Sequence, residues 1–140
     1  MGSLQLIRVA TAVIARDDRY LITQRRATAA LPLLWEFPGG RVAEGESDAD
    51  ALKRVIQHRL GVEVETGQLI SFVSHPYESY VVDLYLYDCS IVKGEPAPQA
   101  VNAFKWVKSD EFDNHTFTPA DESSMAQLLG IAPGPEQGDG

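Results

Sequence analysis

Residues 40–62 read GRVAEGESDADALKRVIQHRLGV, and this stretch decides the fold. A glycine-led loop carries an acid at Glu46, and Ser47 then opens a helix. Ser47 with Asp50 fits a capping box in which Asp stands for the more usual Glu. The helix is predicted to run to about Leu60, with Gly61 as its C-terminal stop. At about 100° per residue, Ala51, Leu52, Val55, Ile56 and Leu60 form one apolar arc, and Arg59 falls inside it. A charge on a core-facing arc is costly unless paired. Arg59 is therefore expected to snorkel to solvent or to pair with Glu36, Glu44 or Glu46. A sharper reading has Arg59, helped by His58, contacting a phosphate directly.

Upstream, residues 4–15 are rich in Ile, Val and Thr and read as a long strand. Asp17-Asp18 marks a turn, and residues 20–24 read as the returning strand. Residues 27–34 form a loop containing Pro32. Residues 35–37 are a short strand stopped by Pro38-Gly39-Gly40. Downstream, residues 65–75 and 80–92 read as two strands joined near Pro76, followed by a loop over residues 94–98. A last strand spans residues 103–107 and is left through Lys108-Ser109-Asp110. Pro119 suits the first turn of a helix reaching Leu129. The tail, residues 133–140 (PGPEQGDG), is expected to be disordered. One helix set among strands predicts an α+β fold with a mixed sheet, or a layered α/β/α sandwich, as a single domain over residues 4–132.

The 140 residues are 44% hydrophobic, which suits one globular domain with a sizeable core. No apolar run is long enough to cross a bilayer. Residues 1–10 lack a basic patch followed by an apolar stretch and a small-residue cleavage site, so a cytoplasmic protein is expected. Met1-Gly2-Ser3 reads equally as native sequence or as a cloning remnant. The net charge of -8 disfavours nucleic acid and anionic membranes as partners. It leaves room for a small phosphorylated ligand held in a local basic pocket. Cys89 is the only cysteine, so no intrachain disulfide forms, and its place in an apolar run reads as an inert buried thiol.

Across nearly its whole length the chain resembles the Nudix hydrolases, specifically the MutT-type nucleotide pyrophosphohydrolases. The family pattern is G-x5-E-x7-R-E-U-x-E-E-x-G-U, with U an aliphatic residue. Gly40, Glu46, Arg54, Ile56, Gly61 and Val62 fall on their places. Trp35-Glu36-Phe37-Pro38-Gly39-Gly40, Gly94-Glu95-Pro96 and Pro119-Ala120-Asp121 extend the likeness. The resemblance implies a Nudix-type α/β/α sandwich and an Arg54–carboxylate contact bracing loop and helix, with Glu46, Arg54 and Gly61 as structural residues.

The departures fall on the metal ligands. Val55, His58 and Arg59 stand where the family has glutamates, and the acid that many relatives supply before the last strand has its counterpart near Ala100. The three helix positions are i, i+3 and i+4 and project from one face. Magnesium requires hard oxygen ligands in near-octahedral geometry. Val55 supplies none, His58 is a poor ligand for it, and Arg59 offers only donors. A dication about 4 Å from a guanidinium is repelled by roughly 8 kcal/mol at an effective dielectric of about 20. No metal or other cofactor is therefore expected, with Glu46 as a weak metal candidate; Mg2+ belongs to the alternative of an active enzyme.

Candidate ligand-binding residues are Arg25, Arg26, Gly39, Gly40, Arg59 and Asp121. The two glycines permit close backbone approach. Arginine suits bidentate phosphate recognition, and the resemblance implies that Arg25 and Arg26 border the phosphate site. Asp121 matches a place that contacts the base in MutT-like relatives; it would equally serve as a first-turn acid facing the helix dipole. Tyr85 and Tyr87 alternate on one sheet face, as base-stacking or core residues. His75 and His115 lack a ligand cluster. The expected function is a Nudix-fold module with a degenerate metal site, binding a nucleotide or other phosphorylated small molecule or a protein partner. The alternatives are an active divergent nucleoside triphosphate pyrophosphohydrolase and a scaffold.

Overall fold

A computed structural model describes residues 5–128. Seven strands and two helices follow in order: β1 (Gln5–Arg16), β2 (Arg19–Gln24), β3 (Trp35–Glu36), β4 (Gly39–Arg41), α1 (Asp48–Leu60), β5 (Glu63–Pro76), β6 (Tyr80–Lys93), β7 (Ala103–Val107) and α2 (Pro119–Leu128), with a 3-10 turn at Ser109–Asn114 before α2. The sheet is mixed, in the order β3-β2-β1-β6-β5, with β4 against β1 and β7 against β2. β1 runs parallel to β6 from Gln5↔Tyr80 to Ile14↔Cys89. This layered α+β arrangement is the one expected. The expected tail over residues 133–140, and the outer limits of the 4–132 domain, lie outside the described residues.

Alternation along β1 builds both halves of the core. Ala10, Ala12 and Ile14 face α1, where Leu52, Ile56, Leu60, Val62 and Val64 close one cluster. Val9 and Val13 face the opposite side, where Phe37, Leu84, Leu86, Phe112, Phe117 and Ala120 close the other. A strand buried on both faces needs apolar residues at every position, which explains the nearly unbroken apolar run. Leu52, Ile56 and Leu60 are fully buried, each contributing about 1.5–3 kcal/mol through removal of apolar area from water.

Three local expectations need correction. Gly39-Gly40 does not simply stop a strand: residues Gly39–Arg41 pair with β1 through Thr11↔Gly39, Ala10↔Gly40 and Val9↔Arg41. A Cβ at Gly39 would come within 2.1 Å of the Ala10 carbonyl oxygen, so the close pairing requires glycine. β5 begins at Glu63, two residues before the expected start, because chain leaving the Gly61 cap pairs at once with β6. Only half of the capping box forms: the Ser47 hydroxyl accepts from the Asp50 N–H at 3.1 Å, and no return bond joins Asp50 to the Ser47 N–H. Asp is one methylene shorter than Glu, and that is the missing reach. Gly61 closes the helix as expected, with φ 74° and its N–H donating to the Gln57 carbonyl.

Candidate functional site

The parallel pair β1–β6 forms the floor of a cavity of about 460 Å³, a size suited to a small organic ligand. Ile7, Val9 and Thr11 supply one row of the floor and Val82 and Leu84 the other. Tyr77 and Tyr80 stand at the cavity as a stacked pair with ring centroids 5.1 Å apart. Gly39, Gly40, Arg41 and Arg59 form the side toward α1. Glu36, Arg25, Thr118 and Asp121 also line it.

Glu36 lies between two arginines. Its carboxylate meets Arg25 Nη1 at 3.2 Å and Arg59 Nη1 at 3.5 Å, and its side chain is only 12% exposed. Burial raises its pKa, and the two guanidinium charges act against that rise. Arg25 is braced a second time, donating from Nε to the Ala30 carbonyl at 2.6 Å. Arg59 stays attached to the last turn of α1 with a third of its side chain exposed. The costly charge on the apolar arc is thus resolved by pairing with Glu36, one of the three acids considered as partners.

Asp121 is buried at the start of α2. It accepts from the Phe37 N–H at 3.1 Å and from the Thr118 hydroxyl at 2.5 Å. Burial, followed by the nearby charge of Glu36, pushes its pKa up to about 7. Asp121 also lies in the first turn of α2, where an acid faces the helix dipole favourably, so this geometry is compatible with both readings of it. Thr11, 3% exposed, also lines the cavity, and its hydroxyl has no hydrogen-bond partner among the described residues. A buried hydroxyl without a partner is costly, so this atom is suited to a ligand's polar group.

On the far side of Arg59, Arg8, Arg41, Arg54 and His58 line a second, open groove with Val55. Val55 is buried against Gly40, and His58 is exposed. Glu46 is held by Arg54 through Nε and Nη2, both at 2.8 Å, and also accepts from the Ala43 N–H. This pairing lowers the Glu46 pKa to about 2. Asp48 is engaged by Arg8 at 2.8 Å and by the Tyr87 hydroxyl. Among the described residues, no three His, Cys, Asp or Glu side chains gather in a metal-ligating arrangement. Glu46 and Asp48 are committed to arginines, Glu44 is a single exposed carboxylate on the groove, and a guanidinium lies beside the Gly40 turn, so this donor set does not fit a magnesium ion.

The candidate ligand residues separate. Arg25, Gly39, Gly40, Arg59 and Asp121 converge on the cavity. Arg26 points elsewhere, donating to the Gln99 carbonyl at 3.3 Å from an exposed position. Tyr85 packs on Phe72 and carries the Arg8 guanidinium 3.9 Å above its ring, and Tyr87 serves Asp48; neither lines this cavity. His75 packs edge-on against Tyr77, and His115 against Trp35. Cys89 is buried and its thiol is pushed up to about 11, as an inert core group. The sequence reading missed Thr11, Tyr77 and Tyr80 as cavity residues. Thr11 left a faint signal as a polar residue in an apolar strand; the tyrosines, flanking a hairpin turn, left none.

An α/β/α sandwich with a glycine turn feeding a helix over a ligand-sized cleft defines the class. The NUDIX domain model matches residues 9–127, and the chain belongs to that family. CTP pyrophosphohydrolase of Escherichia coli is 29% identical over 128 residues, covering 91% of this chain and 95% of that one. An 8-oxo-dGTP diphosphatase of Haemophilus influenzae is 27% identical over 126 residues, covering 89% and 93%. The crystal structure of a MutT NUDIX hydrolase from Burkholderia pseudomallei superimposes with a TM-score of 0.79 at 26% identity, covering 89% of this chain and 98% of that one.

Proposed function

We propose that this Nudix domain binds a nucleotide-class phosphorylated small molecule in its cleft without normal magnesium-dependent hydrolysis. The observation that carries this reading is the Glu36–Arg59 ion pair, which sets a guanidinium where the family pattern has a metal-binding glutamate. The apolar floor and the two tyrosines suit a planar ring. Asp121 and the Thr11 hydroxyl suit the polar edge of that ring, and the arginines suit its phosphates. None of these contacts needs a divalent ion. The names of the relatives favour a second reading, in which the chain hydrolyses nucleoside triphosphates slowly. For that, Glu36, Glu44, Glu46 or Asp48 would have to hold an ion, and all but Glu44 would first have to leave an arginine.

One purified sample separates the two readings. It is incubated with CTP and 8-oxo-dGTP plus magnesium or manganese, and calorimetric binding of the same nucleotides is measured alongside. Saturable binding with no release of pyrophosphate is expected. Metal-dependent release of nucleoside monophosphate that is abolished by Glu46→Gln would replace this reading with the second one.

A further inference from the structure

We propose that the cleft selects the metal-free anion, so that magnesium weakens ligand binding instead of supporting it. This rests on the nucleotide-binding reading above and concerns what controls occupancy of the same site. The charge arrangement around Glu36 is the basis. Two arginines share this one carboxylate, and their holds differ. Arg25 is the fixed partner, at 3.2 Å and tied again to the Ala30 carbonyl. Arg59 is the releasable one, at 3.5 Å and partly exposed. A phosphate can therefore draw Arg59 away without leaving Glu36 as an unpaired buried charge, because Arg25 remains.

The backbone leaves room for this exchange. A Cβ at Gly40 would come 3.4 Å from Arg59 Nη2 and 3.0 Å from Val55 Cγ1, so the guanidinium lies directly beside the glycine turn. Arg41, on the same turn, is exposed and lines both the cavity and the outer groove with Arg59. Among the described residues Arg41 forms no ion pair. Two guanidiniums are thus available for charge-assisted bonds to phosphate oxygens. A magnesium-chelated polyphosphate brings a dication on those same oxygens. Arg59 repels that dication, and Glu46 and Asp48, held by Arg54 and Arg8, are not free to receive it.

The test is calorimetric titration of the full chain with CTP, 8-oxo-dGTP and inorganic pyrophosphate. One buffer contains EDTA and the other excess magnesium, at matched ionic strength. Affinity for at least one nucleotide is expected to be about tenfold higher in EDTA, a difference of about 1.4 kcal/mol. Arg59→Gln is expected to weaken the EDTA-state affinity and to shrink the gap between buffers. Arg41→Gln, on an exposed side chain that does not threaten folding, should act in the same direction to a smaller extent. Equal or tighter binding in magnesium overturns this inference and leaves the nucleotide-binding reading standing. Absence of saturable binding in both buffers overturns both. Binding that prefers EDTA but is unchanged in both variants overturns the assignment to Arg59 and Arg41.

Discussion

Glu36 and Asp121 are two buried carboxyl groups on one cavity with different solutions to burial. Glu36 is neutralised by cations on both sides. Asp121 has no ion pair among the described residues; its partners there are a backbone N–H and a hydroxyl. These bonds favour its charged form but do not overcome desolvation, and the pKa rises from 3.8 to about 7. The folded state therefore holds a proton that the unfolded chain releases near pH 4. The stability contributed by this protonation is full below the unfolded pKa, is lost as pH rises from about 4 to 7, and is level above that. Asp121→Asn keeps an acceptor for the Phe37 N–H and removes the titration. From pH 5 to pH 8 the variant should gain stability relative to the parent, by at most about 3 kcal/mol, since only the roughly two units between pH 5 and about 7 contribute at about 1.4 kcal/mol each. Urea unfolding of both proteins at the two pH values checks this, and parallel pH profiles would refute it.

At the scale of elements, α1 is the part most legible in the sequence. Its buried set, Ala51, Leu52, Val55, Ile56 and Leu60, is the arc expected from 3.6-residue periodicity. Its ends are set by local chemistry, a serine cap and a left-handed glycine. The cap works alone, since the return half of the box is absent. Ser47→Ala should therefore cost about 1 kcal/mol. Asp50→Ala should cost much less, because Asp50 contributes only the favourable sign of its charge near the helix start. Thermal unfolding of the two variants distinguishes them, and equal losses would mean that a reciprocal box operates. β4 was not legible. Pro38-Gly39-Gly40 carries the signature of a turn, and only the approach of β1 makes those glycines a paired strand.

At the scale of the molecule, the net charge of -8 coexists with a cluster of arginines at one cleft. Two acids beside that cleft are matched by arginines, Glu46 by Arg54 and Asp48 by Arg8, and Glu44 on the outer groove forms no ion pair among the described residues. Replacing Val55, His58 and Arg59 together with Glu would reverse the local sign on one helix face. Glu36 would keep Arg25 alone. The metal-free triple variant is expected to unfold at a lower temperature than the parent. Magnesium or manganese should raise its Tm by several degrees through preferential binding to the folded state, with little effect on the parent. A triple variant with unchanged metal affinity would show that these positions do not face a common ion site.

The sequence by itself determined the family frame, the two-faced strand, and the amphipathic helix with its caps, because these depend on periodicity and on bonds between residues close in the chain. It also named the positions where the box departs from its pattern. Tertiary structure decided how those positions are used. Arg59 meets Glu36 across 23 residues, Phe37 reaches Asp121 across 84, and Thr11 shares a cavity with Tyr77 and Tyr80. Such contacts arise from sheet order and helix packing, and no local pattern encodes which buried acid a given arginine will meet. Electrostatics in a cleft depends on distance and burial, and both are set only when the separate segments fold together.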